Sequence, residues 1–166
     1  LKAIRPLFPY DDERYYPYYA RAEDLGMPVL FHTGLISRAD QSMLPQGVST
    51  SSARMRPAYL WAVASAFPRL TIIAAHLGMP WGEEAFMAGS FYPNIFLDLS
   101  GGGTPHKLRW LDQYLHRGVA SKLLLAVDAT YGRPQYHDDI LRMLNFWNDY
   151  FDFVLQAHES YRYKDA

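Results

Sequence analysis

Residues 70–82 read LTIIAAHLGMPWG. An apolar, β-branched run ends on His76, and Leu77 and Gly78 follow at once. The arrangement recurs along the chain. Residues 27–34, MPVLFHTG, run to His32 with Gly34 just behind. Residues 94–103, NIFLDLSGGG, run to Asp98 and Ser100. Residues 122–132, KLLLAVDATYG, run to Asp128 with Gly132 behind. Runs this short, apolar on both faces and without hairpin turn signals, read as strands buried in a parallel sheet. Each then carries a polar side chain to its carboxyl end.

Helical patterns fill the intervals. Residues 1–6 are a strand candidate, and DDERYYPYYARAEDLG after them predicts a helix capped at Asp11 or Asp12 and stopped at Gly26. Further helices are predicted over about 55–67, 81–90, 104–118 and 135–156, and a strand over 121–128. Residues 35–53 are polar, Ser-rich and aperiodic, the composition of a long functional loop. Strand and helix alternate five times, which predicts a parallel α/β sheet covered by helices. An open doubly wound sheet and a segment of a (β/α)8 barrel both fit. In either, ligands meet the carboxyl ends of the strands. No repeat or linker divides the chain, so residues 1–166 read as a single domain.

The totals narrow the chemistry. The 166 residues are 49% apolar and 20% charged, enough for one core. A net charge of −1 and a pI near 6.6 leave no basic surplus for a nucleic acid or an anionic membrane. There are no cysteines, so any metal must be held by His, Asp or Glu. No apolar run approaches the roughly 18 residues that span a bilayer. No signal peptide is visible, and a cytoplasmic location is the expectation.

His32, His76, Ser100 and Asp128 fall one strand–helix unit apart, the first interval enlarged by the long loop. They are therefore expected on one rim. Two imidazoles and a carboxylate can bind a divalent ion, and they can equally supply a general base and its partner. A lone histidine at a strand end is ordinarily structural; three such groups with glycines nearby point to a shared site. SGGGTP at 100–105 has neither the dinucleotide fingerprint nor the lysine of a P-loop, and no G-x-S-x-G elbow occurs. Arg54 and Arg56 close the long loop and Arg38 lies inside it; each is a solvated arginine or a partner for a substrate carboxylate. Trp81 is pocket wall or plain packing. His106 and His116 read as surface, His137 as a weak pocket candidate, His158 as structural, and Asp98 as a partner for a histidine.

At GMPVLFHTG, IIAAHLGMPW, NIFLDLSG and LLLAVD, in this order, the chain resembles the amidohydrolase superfamily. The branch is the amidohydrolase-related one of aminocarboxymuconate-semialdehyde decarboxylase, resorcylate decarboxylases and small lactone hydrolases. Residues 1–26 resemble that branch's fourth strand and the helix after it. The resemblance implies a metal-dependent (β/α)8 barrel, of which the chain would be the C-terminal part, about strands four to eight. It implies His32 as the fifth-strand metal ligand and Asp128 as the eighth-strand carboxylate that binds metal and takes a proton. His76 would be the sixth-strand histidine, an acid/base or a further metal ligand. Arg54 and Trp81 are then substrate-binding candidates. The cofactor implied is a divalent metal, zinc or else manganese. The implied activity is hydrolysis of a small carboxylated or lactone substrate; the alternatives are a metal-dependent non-oxidative decarboxylase and a non-catalytic barrel relative. No two histidines are separated by one residue, so the family's first-strand His-x-His is expected upstream of Leu1. The eighth strand reads VDATYG where the family commonly has Ser-Asp-x-Pro. A homodimer is a further expectation of the resemblance.

Overall fold

The computed structural model describes residues 1–36, 42, 44–45, 51–101, 104–115, 118–128, 132 and 134–162. Arg38, His116, Gly102, Gly103 and residues 129–131 lie outside the described residues, as do most of the long loop and the side chain of His158. The chain divides into two compact units, Leu1–Ala126 and Val127–Ala166.

The first unit is built on five parallel strands, β1 (Lys2–Ala3), β2 (Val29–His32), β3 (Ile72–Ala75), β4 (Ile95–Asp98) and β5 (Leu123–Leu124). Their order in the sheet is their order in the chain. A doubly wound sheet reverses direction at a switch point. A barrel adds each strand beside the last. The unbroken order therefore selects a partial (β/α)8 barrel, an α/β fold, over the open sheet.

The helices are α1 (Tyr16–Asp24), α2 (Tyr59–Ala66), α3 (Gly82–Phe91) and α4 (Thr104–Tyr114). They form one layer on one face. Tyr19 of α1 meets Phe31 edge-on at 5.5 Å and Phe67, just after α2, at 5.9 Å. Gly89 of α3 lies against Leu97, and Phe86 stacks on Tyr114 of α4 at 5.4 Å. Phe31, Ala74 and Leu97 occupy successive register positions on that face and are fully buried. Leu30, Ile73 and Phe96 line the opposite face and are half-buried. His32 shares the parity of Leu30, so its side chain projects away from the helix layer.

Several boundaries differ from expectation. The strand candidates 1–6 and 121–128 pair over two residues each; the first is ended by Arg5, at φ 55°, and Pro6, and among the described residues each has one neighbouring strand. The helix expected from Met55 starts at Tyr59. Pro57 holds Arg56 extended (ψ 138°), so residues 52–55 form a separate 3-10 turn. Asp12 caps a 3-10 turn, Glu13–Tyr15, that leads into α1.

The second unit holds α5 (Tyr136–Arg162), in which Trp147 meets Phe146, Tyr150 and Phe151. Among the described residues no helix is long and apolar enough to cross a membrane.

Candidate functional site

His32 is the last residue of β2, and His76 follows β3 directly. Their rings meet at 4.8 Å between centroids, inclined at 64°. Two of the histidines singled out by the strand-end pattern are thus brought together. His32 is 7% exposed, and its Nε2 lies 3.0 Å from Leu35 O. His76 Nδ1 lies 3.2 Å from Ser100 O and 2.9 Å from Ser100 Oγ. A backbone carbonyl only accepts, and on the carbonyl contacts we assign the protons to His32 Nε2 and His76 Nδ1. In these tautomers His32 Nδ1 and His76 Nε2 are the acceptor nitrogens. A carbonyl fixing one nitrogen so that the other can ligate is how proteins present imidazoles to metals.

The chain bends sharply to achieve this. His76 and Leu77 have positive φ, 66° and 51°, and in residues other than glycine such backbone clusters at functional sites. Gly34 follows His32 at φ 101°, and a Cβ there would stand 2.2 Å from Met79 O. The segments leaving β2 and β3 therefore pass in contact, with Leu35 N donating to Met79 O (2.8 Å).

Hydroxyl groups tie neighbouring strand ends. Tyr10 OH lies 2.8 Å from His32 O and 3.1 Å from Ala3 O, and Thr33 Oγ1 donates to Ala75 O at 2.5 Å. Burial, more than the neighbouring tyrosines, pushes the Tyr10 hydroxyl well above its ordinary pKa, so it remains a donor.

The other candidates take definite places. Arg54 lies half-buried in the 3-10 turn Ser52–Met55, which is stitched to the chain beyond His32 by Gly34 N to Met55 O (3.1 Å) and Ile36 N to Ser52 Oγ (3.0 Å). Trp81 is half-buried at the start of α3, and its amide donates to Gly78 O at 2.6 Å. Arg56 is engaged internally: its Nε and Nη2 bind Glu84, and its guanidinium lies 5.6 Å from the Trp81 ring. Asp98 accepts from Ser100 N at 2.5 Å, and Ser100 in turn meets His76 Nδ1. Asp128 belongs to the second unit, is exposed, and has φ 54°. His106 and His137 are exposed.

Lys107 was not among the sequence candidates. It is fully buried, and its Nζ donates to Leu99 O, Ser100 O and Gly101 O. The signal was its spacing. Trp110, Leu111 and Tyr114 follow at i+3, i+4 and i+7 and are all buried, which puts the lysine on the core stripe of α4.

Among the described residues no group of three or more metal-ligating side chains gathers. Zinc sites use three or four protein ligands. The first unit supplies two imidazoles with tautomers suited to such an ion, and they fit as part of a donor set that needs a carboxylate or further histidines to complete it.

The sequence profile of a family described as Amidohydrolase matches residues 1–154. Similar solved structures include an uncharacterised TIM-barrel protein from Bordetella bronchiseptica, 23% identical with a TM-score of 0.57, covering 83% of this chain and 52% of that one. A candidate metal-dependent hydrolase from Lactobacillus casei is 20% identical with a TM-score of 0.55, covering 80% and 33%. A 5-carboxyvanillate decarboxylase from Sphingomonas paucimobilis is 18% identical with a TM-score of 0.51, covering 87% and 50%. The chain thus spans between a third and about half of these proteins. No curated protein matches the sequence.

Proposed function

The chain belongs to the amidohydrolase family, and from that premise we propose that it is the C-terminal part of a metal-dependent hydrolase acting on a small carboxylated or lactone substrate. On this reading residues 1–166 belong to one barrel domain. The observation that carries it is the meeting of His32 and His76 at adjacent strand ends, 4.8 Å between rings, with a carbonyl on one nitrogen of each.

His32 and Asp128, with His76 as a further ligand, would hold a divalent ion, zinc or else manganese. Such an ion supplies Lewis acidity, polarising a substrate oxygen or lowering the pKa of a water molecule. His76, proton on Nδ1, offers the Nε2 lone pair to accept a proton or to take a hydrogen bond from the reacting group. Asp128 would be the carboxylate that takes a proton, a role the motif resemblance supports. Arg54 would pair with a substrate carboxylate and Trp81 would wall the pocket. Arg56 binds Glu84.

Decarboxylation is the second reading. Arg54, at the turn bonded to the chain beyond His32, would suit a carboxylate destined to leave as well as one that stays. The test uses the complete protein. About one equivalent of divalent ion is expected by elemental analysis, and His32→Ala should lose both the ion and turnover by at least about 100-fold, the scale of losing a ligand or its partner. Retention of both would overturn the assignment, as would an intact protein that binds no divalent ion. Carbon dioxide among the products selects the lyase reading.

A further inference from the structure

We propose that Lys107 is a positioning residue for His76, a fixed internal cation that shapes the turn after β4 so that Ser100 sets the tautomer of the imidazole. The proposal rests on the reading above only for the importance of His76. Its geometry stands separately.

In an extended strand successive carbonyls point to opposite sides. Past the end of β4 they do not. The carbonyls of Leu99, Ser100 and Gly101 all turn toward Lys107 Nζ, at 3.1 Å for Leu99 and 2.9 Å for Gly101, with Ser100 bonded between them. Gly101 permits the curl through its φ of 79°. Three carbonyl dipoles turned to one point repel unless a positive donor stands there. An ammonium has three N–H bonds, one for each carbonyl. Lys107 is fully buried, where a charge needs partners, and the three carbonyls are among them.

His76 reads the same turn. Ser100 O, held by Lys107, also accepts from His76 Nδ1, and Ser100 Oγ stands 2.9 Å from that nitrogen. The turn also packs on the ring, since a Cβ on Gly101 would lie 2.7 Å from Nδ1. The path runs from ammonium to carbonyl to imidazole. Lys107 touches no reacting atom on this path. It keeps the proton on Nδ1 and the lone pair on Nε2.

The test is nitrogen-15 NMR of the imidazole side chains in the complete protein, with and without added zinc. Wild type is expected to show His76 protonated at Nδ1. Lys107→Met, which keeps the stem and loses the cation, should lose that pattern. His32 is the internal control, because its Nε2 bonds Leu35 O, and should keep its own tautomer. Turnover should fall about 10- to 100-fold, the usual cost of losing a residue that orients a functional histidine, with KM little changed. Methylammonium added to Lys107→Ala should restore the tautomer and part of the rate, whereas tetramethylammonium, which has no N–H, should not. An Nδ1–H signature that survives in folded Lys107→Met overturns the proposal. So does wild type with the proton on Nε2. If neither variant folds, wild type still decides: slow exchange of the Lys107 amine protons, with cross-peaks to the His76 ring, is required. Exchange as fast as a surface lysine's overturns it. None of these readouts needs turnover, so failure here is distinguishable from failure of the metal-hydrolase reading, which the His32→Ala metal analysis tests alone.

Discussion

β2, β3 and β4 are each four residues long with a strand on both sides, whereas β1 and β5 are two residues long with a strand on one. The runs behind them are not alike: AIRP carries an arginine and a proline, whereas LLLA is as apolar as VLFH or IIAA. Among the described residues the strands differ also in the number of neighbours. An inner strand satisfies its amides and carbonyls on both edges, and its end is tied to the next end by Tyr10, Thr33 or Ser100. His32 and His76 inherit that support. Asp128 follows the edge strand β5 and lies four residues past its last paired residue. The two imidazoles are therefore held by the sheet itself, as the preorganisation of a catalytic site requires.

Core substitution gives the largest expected contrast. Phe31→Ala removes a fully buried ring packed edge-on against Tyr10 and Tyr19, and should cost about 3–5 kcal/mol in chemical denaturation of the complete protein. Leu124→Ala removes a side chain that is only half-buried among residues 1–166 and should cost less, about 1 kcal/mol. Equal losses would break the comparison.

The glycines behind the two polar ends sharpen it. Gly34→Ala places a Cβ 2.2 Å from Met79 O at φ 101°, and Gly132→Ala, at φ 86°, meets nothing within 4 Å. Both carry the roughly 1–3 kcal/mol of a left-handed backbone without glycine. Only Gly34→Ala must also push apart the chains leaving β2 and β3, and with them the two histidines. Metal affinity by titration should fall with Gly34→Ala and hold with Gly132→Ala. Similar affinities in the two variants would detach the histidine pair from this crossing.

The sequence made the strand ends legible because a buried parallel strand is a continuous apolar run, and a histidine that closes one stands out. The pairing of His32 and His76 followed from topology. The kink at His76 was hidden, since nothing about His-Leu announces positive φ as a glycine does. The short pairing of β5 was hidden too, because LLLA is a continuous apolar run. Lys107 was overlooked for another reason. A lysine in a helix is usually solvated, and the i+3, i+4, i+7 company of Trp110, Leu111 and Tyr114 had to be weighed against its charge. Arg56 erred in the opposite direction: a loop arginine looked available until Glu84 appeared beside it.

The smallest expected effect lies at the outer strand, where Asp12 caps the turn that leads into α1. Its hydrogen bonds from the Arg14 side chain, at 2.7 and 2.6 Å, hold the carboxyl down to about 2. A lowered folded-state pKa stabilises the protein above the unfolded value of 3.8, and that contribution disappears as pH falls through about 2. Asp12→Asn keeps an acceptor for Arg14 N and removes the charge, so it isolates the ion pair from the cap. The variant should be slightly less stable than wild type at pH 5–7, and the two acid-unfolding curves should converge below about pH 2. The difference will be small. Arg14 is two residues away and largely exposed, so the unfolded chain can form much of the same contact. A large loss at neutral pH would mean that this exposed pair anchors the β1 edge as firmly as burial anchors the inner strands, and the contrast between centre and edge would fail there.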